Sequence, residues 1–164
     1  MKIYWIDDIH NGTLGMMARP RGNDWLEDEI KKLKILDVKL VVSLLEEHEE
    51  TELKLSEEQG YCKQNDIEFV SFPIADRGVP KNLKAYQKLV LKIDQRLKRN
   101  NKVVIHCRMG IGRTSVIAAG VLLKNGYEPN SVFKYLSEVR TFSVPDTEEQ
   151  VNWILNQYDN IKQP

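Results

Sequence analysis

The sequence lacks any apolar run long enough to span a bilayer. Its longest runs, Val38 to Leu45 and Val116 to Leu123, are short and are interrupted by Lys39 or Gly120. No membrane partner is therefore expected. Net charge is also missing, because 24 Lys and Arg balance 24 Asp and Glu. Chains that live on nucleic acid usually carry a basic face, so no nucleic-acid partner is expected either. Cysteine is scarce, with only Cys62 and Cys107. The first residues, Met1-Lys-Ile-Tyr-Trp-Ile-Asp-Asp8, carry acids that break a secretory pattern. A cytoplasmic location with both thiols free follows as the expectation, and the Asn11-Gly12-Thr13 sequon reads as a hairpin turn instead of a glycosylation acceptor. Repeats, linkers and low-complexity tracts are absent, and the 164 residues suit one domain over 1–164.

What is present alternates between the periods of strand and helix. Lys2 to Ile6 and Leu14 to Met17 flank the Asn-Gly pair as a hairpin. Asn23 or Asp24 can cap a helix that turns Leu26, Ile30 and Leu33 inward. Val38 to Leu44 reads as a buried central strand, and so does Ile67 to Phe72. Ser56 with Gln59 fits a capping box, as does Asp146 with Glu149 ahead of a last helix. Leu83, Tyr86, Val90, Ile93 and Leu97 mark an amphipathic helix over 81–99. Lys102 to His106 is a third strand, followed by an all-apolar helix from Arg113 that Gly126 ends, and by another over 130–139. The acidic stretch Glu46 to Glu58 reads as solvated surface without function. Strands alternating with helices predict an α/β fold with a mostly parallel sheet of four to five strands and helices on both faces.

The chemistry gathers in His106-Cys107-Arg108-Met109-Gly110-Ile111-Gly112-Arg113-Thr114, where a predicted strand meets a buried helix. Open α/β sheets bind ligands at that edge. Two glycines among the five residues between Cys107 and Arg113 let the backbone curl into a nest of inward N–H groups that holds an oxyanion. The helix start adds a favourable dipole. A helix N-terminus and nearby cations favour the thiolate form that serves as a nucleophile, and an arginine fork grips two phosphate oxygens where a lysine offers one point charge. A cysteine alone would read as core, but that reading does not account for the glycines, Arg113 and Thr114 together. A Walker-type phosphate loop is excluded because the Gly-Lys-Ser/Thr ending is missing.

The pattern His-Cys-x5-Arg-Thr resembles the signature of the cysteine-dependent protein tyrosine and dual-specificity phosphatases. Its place at position 107 is unlike the N-terminal motif of low-molecular-weight tyrosine phosphatases, and rhodanese-like proteins build a different loop environment. Pro73-Ile-Ala-Asp76-Arg-Gly-Val-Pro80 is similar to the acid loop of the kinase-associated type. The segment Ala-Tyr-Leu-Met, frequent after the loop in animal members, is absent. The resemblance implies Cys107 as nucleophile, Arg113 as phosphate clamp and Asp76 as the acid that protonates the leaving group, the same carboxylate then activating water. Asp76 before Gly78 is otherwise a turn residue. The phosphate would rest on Arg108, Met109, Gly110, Ile111, Gly112 and Arg113. Thr114 would donate to the sulfur or cap the helix. His106 would fix the loop, and Gln150 resembles a water-orienting glutamine or is ordinary helix surface.

No cofactor or metal is called for. The loop carries no lysine, which favours a phosphorylated protein over a highly charged inositol lipid. The absence of a long recognition segment favours a shallow pocket open to phosphoserine and phosphothreonine beside phosphotyrosine. The rival readings are a phosphatase of a lipid, sugar or nucleotide monoester, and a non-catalytic phosphate-binding module. The chain is read as a monomer. Cys62 is either a resolving partner for an oxidised Cys107 or, more in keeping with its helix, a core residue.

Overall fold

The computed structural model describes residues 1–163 and every side chain among them except that of Asp8. The predicted hairpin forms from β1 (Ile3–Ile9) and β2 (Gly12–Ala18). Its turn comes one residue earlier than the Asn-Gly pair suggests: His10 takes the left-handed conformation at φ 56°, and Gly12 already pairs with Ile9. Space explains this glycine, since a methyl group on it would lie 2.6 Å from the Leu97 backbone.

The chain continues through α1 (Leu26–Ile35), β3 (Val38–Ser43), α2 (Glu47–Glu52), α3 (Glu58–Gln64), β4 (Glu68–Ser71), α4 (Leu83–Lys98), β5 (Lys102–Cys107), α5 (Gly112–Lys124), α6 (Val132–Arg140) and α7 (Glu148–Lys162). The five strands order as β1-β2-β5-β3-β4. The β1–β2 pair is antiparallel and the other three pairs are parallel, so the sheet is mixed and mostly parallel. Parallel neighbours need crossovers, which lay helices on both faces. Strand side chains alternate accordingly. Leu40, Val42, Val103 and Ile105 pack with α4 to α7, whereas Val41, Val104 and Met17 pack with α1 and α3. Among the described residues no helix is long and apolar enough to cross a membrane.

Several local expectations shift. Neither Asn23 nor Asp24 caps α1, which a short 3₁₀ turn leads into without a side-chain cap. α3 likewise starts without the Ser56 box, and the boxes that do form are Glu46 with Glu49 and Thr147 with Gln150. β4 is a half-buried edge strand, because only β3 pairs with it. Cys62 packs among the side chains under α1 and α3, while Cys107 belongs to the cluster across the sheet. The sheet therefore separates the two thiols, and burial pushes the Cys62 thiol up to about 12. It is a core residue.

α5 is the axis of the domain: every residue from Gly112 to Leu123 is buried. Each large apolar side chain so covered contributes about 1.5–3 kcal/mol. The Tyr86 hydroxyl donates to Val116 O at 2.8 Å, and its ring meets Trp153 edge-on at 4.8 Å. A methyl group at Gly120 would overlap that hydroxyl. Gly120→Ala is therefore expected to cost about 1–3 kcal/mol. Adding Tyr86→Phe should recover part of the loss, as shown by the urea midpoint at unchanged slope. Strict additivity of the two changes would refute this packing account.

Candidate active site

Cys107 is the last residue of β5, the middle strand of the sheet, and the peptide turns from it into α5 through four residues. Gly110 takes φ +67°, and a methyl group there would overlap the Met17 carbonyl, so both conformation and space demand glycine. Three consecutive loop carbonyls are bonded outward. Arg108 O accepts from Arg19 N at 3.2 Å, Met109 O from Arg140 Nη2 at 3.0 Å, and Gly110 O from Arg140 Nε at 3.1 Å. Arg140 itself lies over the Tyr4 ring. A loop with its carbonyls held outward turns its amides inward, and the first turn of α5 adds its own free N–H groups.

The amides face a cavity of about 170 Å³ lined by Asp76, Arg77, Cys107, Arg108, Met109, Arg113 and Asp146. A larger cleft of about 250 Å³ beside α4 and α7 is lined by lysines, glutamines and apolar side chains. The smaller cavity is the one where a thiol, Arg113 and Asp76 meet. Cys107 is only 3% exposed, and its Sγ accepts from Thr114 Oγ1 at 3.1 Å. Met109 stands exposed at the rim, and Ile111 packs into the core.

Arg113 is buried at 2% exposure. Its Nη1 group serves Glu49 Oε2 at 2.7 Å, Ile74 O at 2.9 Å and Leu44 O at 3.4 Å. Its Nη2 group serves Glu49 Oε1 at 2.9 Å and Asp76 Oδ1 at 3.2 Å. Nε–H meets no acceptor among the described residues. Burial alone would favour neutral Arg113, but the bond to Glu49 and the charge of Cys107 raise its pKa. Burial would also raise the Glu49 carboxyl. The guanidinium of Arg113, with the Glu46 amide and Arg108, outweighs that and holds it at about 2. Asp76 is well exposed, so a phosphate could displace it and take the Nη2 and Nε edge of the fork.

The structure brings Cys107, Arg113, Asp76 and Thr114 together and curls residues 108–112 around one cavity. Arg108 does not turn its side chain to that cavity alone, because its guanidinium bonds Glu49 and Glu52. His106 is buried against Glu58 Oε1 at 2.8 Å. Gln150 is fully buried, not helix surface. Its Oε1 accepts from the amides of Asp146 and Thr147 at 3.0 and 3.3 Å, and its Nε2 donates to Gly78 O at 3.0 Å. Its oxygen and one of its two Nε2–H groups thus tie α7 to the acid loop. Sequence reasoning missed Glu49, Arg140 and Asp146. Glu49 lay hidden in a run of glutamates, and Arg140 looked like any cation in a helix's last turn.

The chain is similar to several known proteins. Protein 197R of Invertebrate iridescent virus 6, named provisionally as a tyrosine phosphatase, is 34% identical over 98 residues, 57% of this chain and 35% of the relative. Cyclin-dependent kinase inhibitor 3 of Rattus norvegicus is 31% identical over 84 residues, 50% of this chain and 39% of the relative. The chain thus matches little more than a third of the length of either. The crystal structure of kinase associated phosphatase with its catalytic-site cysteine changed to serine superposes with a TM-score of 0.90 at 21% identity, covering 100% of this chain and 97% of that one. PTPMT1 gives 0.77 at 19% identity, covering 96% and 95%. At these identities the structures establish the shared fold. Residues 14–127, well over half of the sequence, match the family model described as "Polymorphic toxin system, DSP-PTPase phosphatase", and the chain belongs to that family.

Proposed function

We propose that the chain, as one catalytic domain, hydrolyses phosphotyrosine and phosphoserine or phosphothreonine in proteins through a phosphocysteine intermediate. The observation that carries this reading is the convergence of Cys107 Sγ, the free edge of the Arg113 fork and Asp76 on one cavity. In the first step the sulfur attacks phosphorus and the Arg113 fork binds two equatorial oxygens. Asp76, released from Arg113 by the incoming phosphate, gives its proton to the leaving oxygen. Thr114 supports the sulfur as an anion when it departs. The loop amides stabilise charge that grows in the transition state, an effect worth about 100- to 1000-fold for each donor.

A protein substrate is supported by charge. Arg108, the cation that could meet a second phosphate, is engaged by Glu49 and Glu52, and the acidic α2 stands beside it. A polyphosphorylated headgroup would meet carboxylates there. PTPMT1, a fold neighbour, was crystallised with PI(5)P, so lipid headgroups belong in the test. A panel of phosphopeptides, phosphoinositides and nucleotide or sugar monophosphates should show turnover concentrated on the peptides. Preference for any of the small phosphates would overturn the substrate reading.

Cys107→Ser is expected to abolish turnover while still binding phosphate, and Asp76→Asn to slow poor leaving groups by about 100-fold while sparing good ones. Full activity in Cys107→Ser would sink the mechanism.

Glu49→Gln leaves the Arg113 charge buried without its counterion and is expected to cost about 3–5 kcal/mol, with a matching loss of kcat/KM. The pH dependence gives a second readout. The Glu49 carboxyl falls from its ordinary 4.5 to about 2 in the fold. Its stabilising contribution is therefore complete above about pH 4.5 and disappears as the pH drops to about 2. The thermal midpoint of Glu49→Gln should vary less with pH across that window than that of the wild type. Parallel curves would show that the pair does not couple to folding.

A further inference from the structure

The cleft beside α4 and α7 shares no lining residue with the cavity at Cys107. Its lining joins hydrocarbon from Val90, Leu91 and Ile161 to three lysines, Lys84 and Lys88 of α4 and Lys124 at the end of α5. The apolar residues lie deepest, since Val90 and Ile161 are buried, whereas Lys84 and Lys88 are exposed and Lys124 is half-buried. A lysine lays its stem along apolar surface and keeps its ammonium toward water, so the charges gather at the mouth. Among the described residues no aspartate or glutamate lines the cleft, although acids and bases are equal in number over the chain. Farther along α4 the balance is met locally, with Lys92 bonded to Glu68 and Lys98 to Asp94. The positive excess therefore belongs to the cleft and not to the helix as a whole.

We propose that this cleft binds a small amphiphilic anion, a straight-chain carboxylic acid whose tail covers Val90, Leu91 and Ile161 and whose carboxylate meets the lysines. At about 250 Å³ the space falls just below the roughly 300–1,000 Å³ of pockets for drug-sized ligands, so the occupant is small. A nucleotide or sugar phosphate would press polar groups against hydrocarbon without partners. A peptide segment brings an N–H and a C=O with every residue, and the lining meets them poorly. Its ammonium groups only donate, and the Gln87 amide nitrogen already donates to Asn160 O at 2.8 Å. A carboxylate only accepts, and its hydrocarbon tail needs no hydrogen bond. Lys124 gives one N–H to Gln163 O at 3.3 Å, which holds its ammonium at the cleft and leaves its other donors for the ligand.

Titration of the ¹⁵N-labelled full chain with sodium octanoate tests the proposal. The amides of Gln87, Leu91 and Lys124 should shift together and saturate with a Kd of about 1 mM, the scale for a ligand of about ten heavy atoms. Each methylene added to or removed from the acid should change the affinity about fourfold. Octanamide, which keeps the shape and loses the charge, should bind about tenfold more weakly, and Lys84→Gln combined with Lys88→Gln should weaken octanoate about fivefold. Leu91→Asp places a carboxylate against the ligand and should remove saturable binding. These three positions are exposed, so the fold should survive each change, as an unaltered urea midpoint would show. Shifts confined to residues 108–113, equal affinity for octanamide, affinity independent of chain length, or wild-type binding by Leu91→Asp would each overturn the proposal. Tighter binding of an acidic, leucine-containing peptide than of octanoate would overturn the choice of occupant.

Discussion

A guanidinium buried beneath the phosphate loop constrains the rest of the molecule. Arg113 cannot remain there as a cation unless its charge is balanced and its donors are met. Glu49 does the first with a two-point bond, and the carbonyls of Leu44 and Ile74 help with the second. Those three residues come from three places: the end of β3, the helix α2 after it, and the acid loop after β4. The arginine thus draws together segments far apart in sequence and orients its own free edge in doing so. It is also why Asp76 sits where it does, since the last Nη2 donor is the one that reaches it.

The loop is held from outside by a different logic. Its carbonyls are bonded to Arg19 and Arg140, and its tightest bend is a glycine pressed against β2. Anion binding needs amides that are already aligned, because reorganising them on binding would cost part of the interaction. Arg140 reaches the loop from the end of α6 and stacks on Tyr4 of β1, so the hairpin at the sheet's edge helps to set the geometry of a loop after its middle strand. Gln150 does the equivalent for the acid loop by joining Gly78 to the start of α7.

These arrangements explain which parts of the molecule could be read from sequence. Cys107, Arg113 and Thr114 share one short segment whose local path from strand to helix fixes their mutual positions, so spacing alone revealed them. The two faces of the sheet were legible for a similar reason: β3, β5 and α5 are so apolar that only a buried position suits them. Helix starts were less legible, because Asn23, Ser56 and Asp146 are good capping types in sequence but the chain enters each helix by a different residue. Glu49 was invisible for the opposite reason. Nothing local separates it from Glu47 or Glu50, and what buries it is a guanidinium 64 positions away.

Gln150 shows how a residue read for its chemistry also serves the structure. A glutamine near a phosphatase-like site invites a role with water, and it does lie beside the loop, next to Gly112. Yet a buried amide must satisfy its own groups first, and here two backbone N–H groups take its oxygen while one carbonyl takes one of its two N–H groups. What the amide gains in exchange is control over its neighbours: it fixes the Asp146 backbone and the acid loop at once. The exposed carboxylates of Asp146 and Asp76 are then presented to one cavity from separate segments, each joined to the same buried glutamine. The chemistry proposed for Asp76 depends on that anchor, because proton transfer tolerates little error in position, and a carboxylate on an unanchored loop would spend most of its time out of reach.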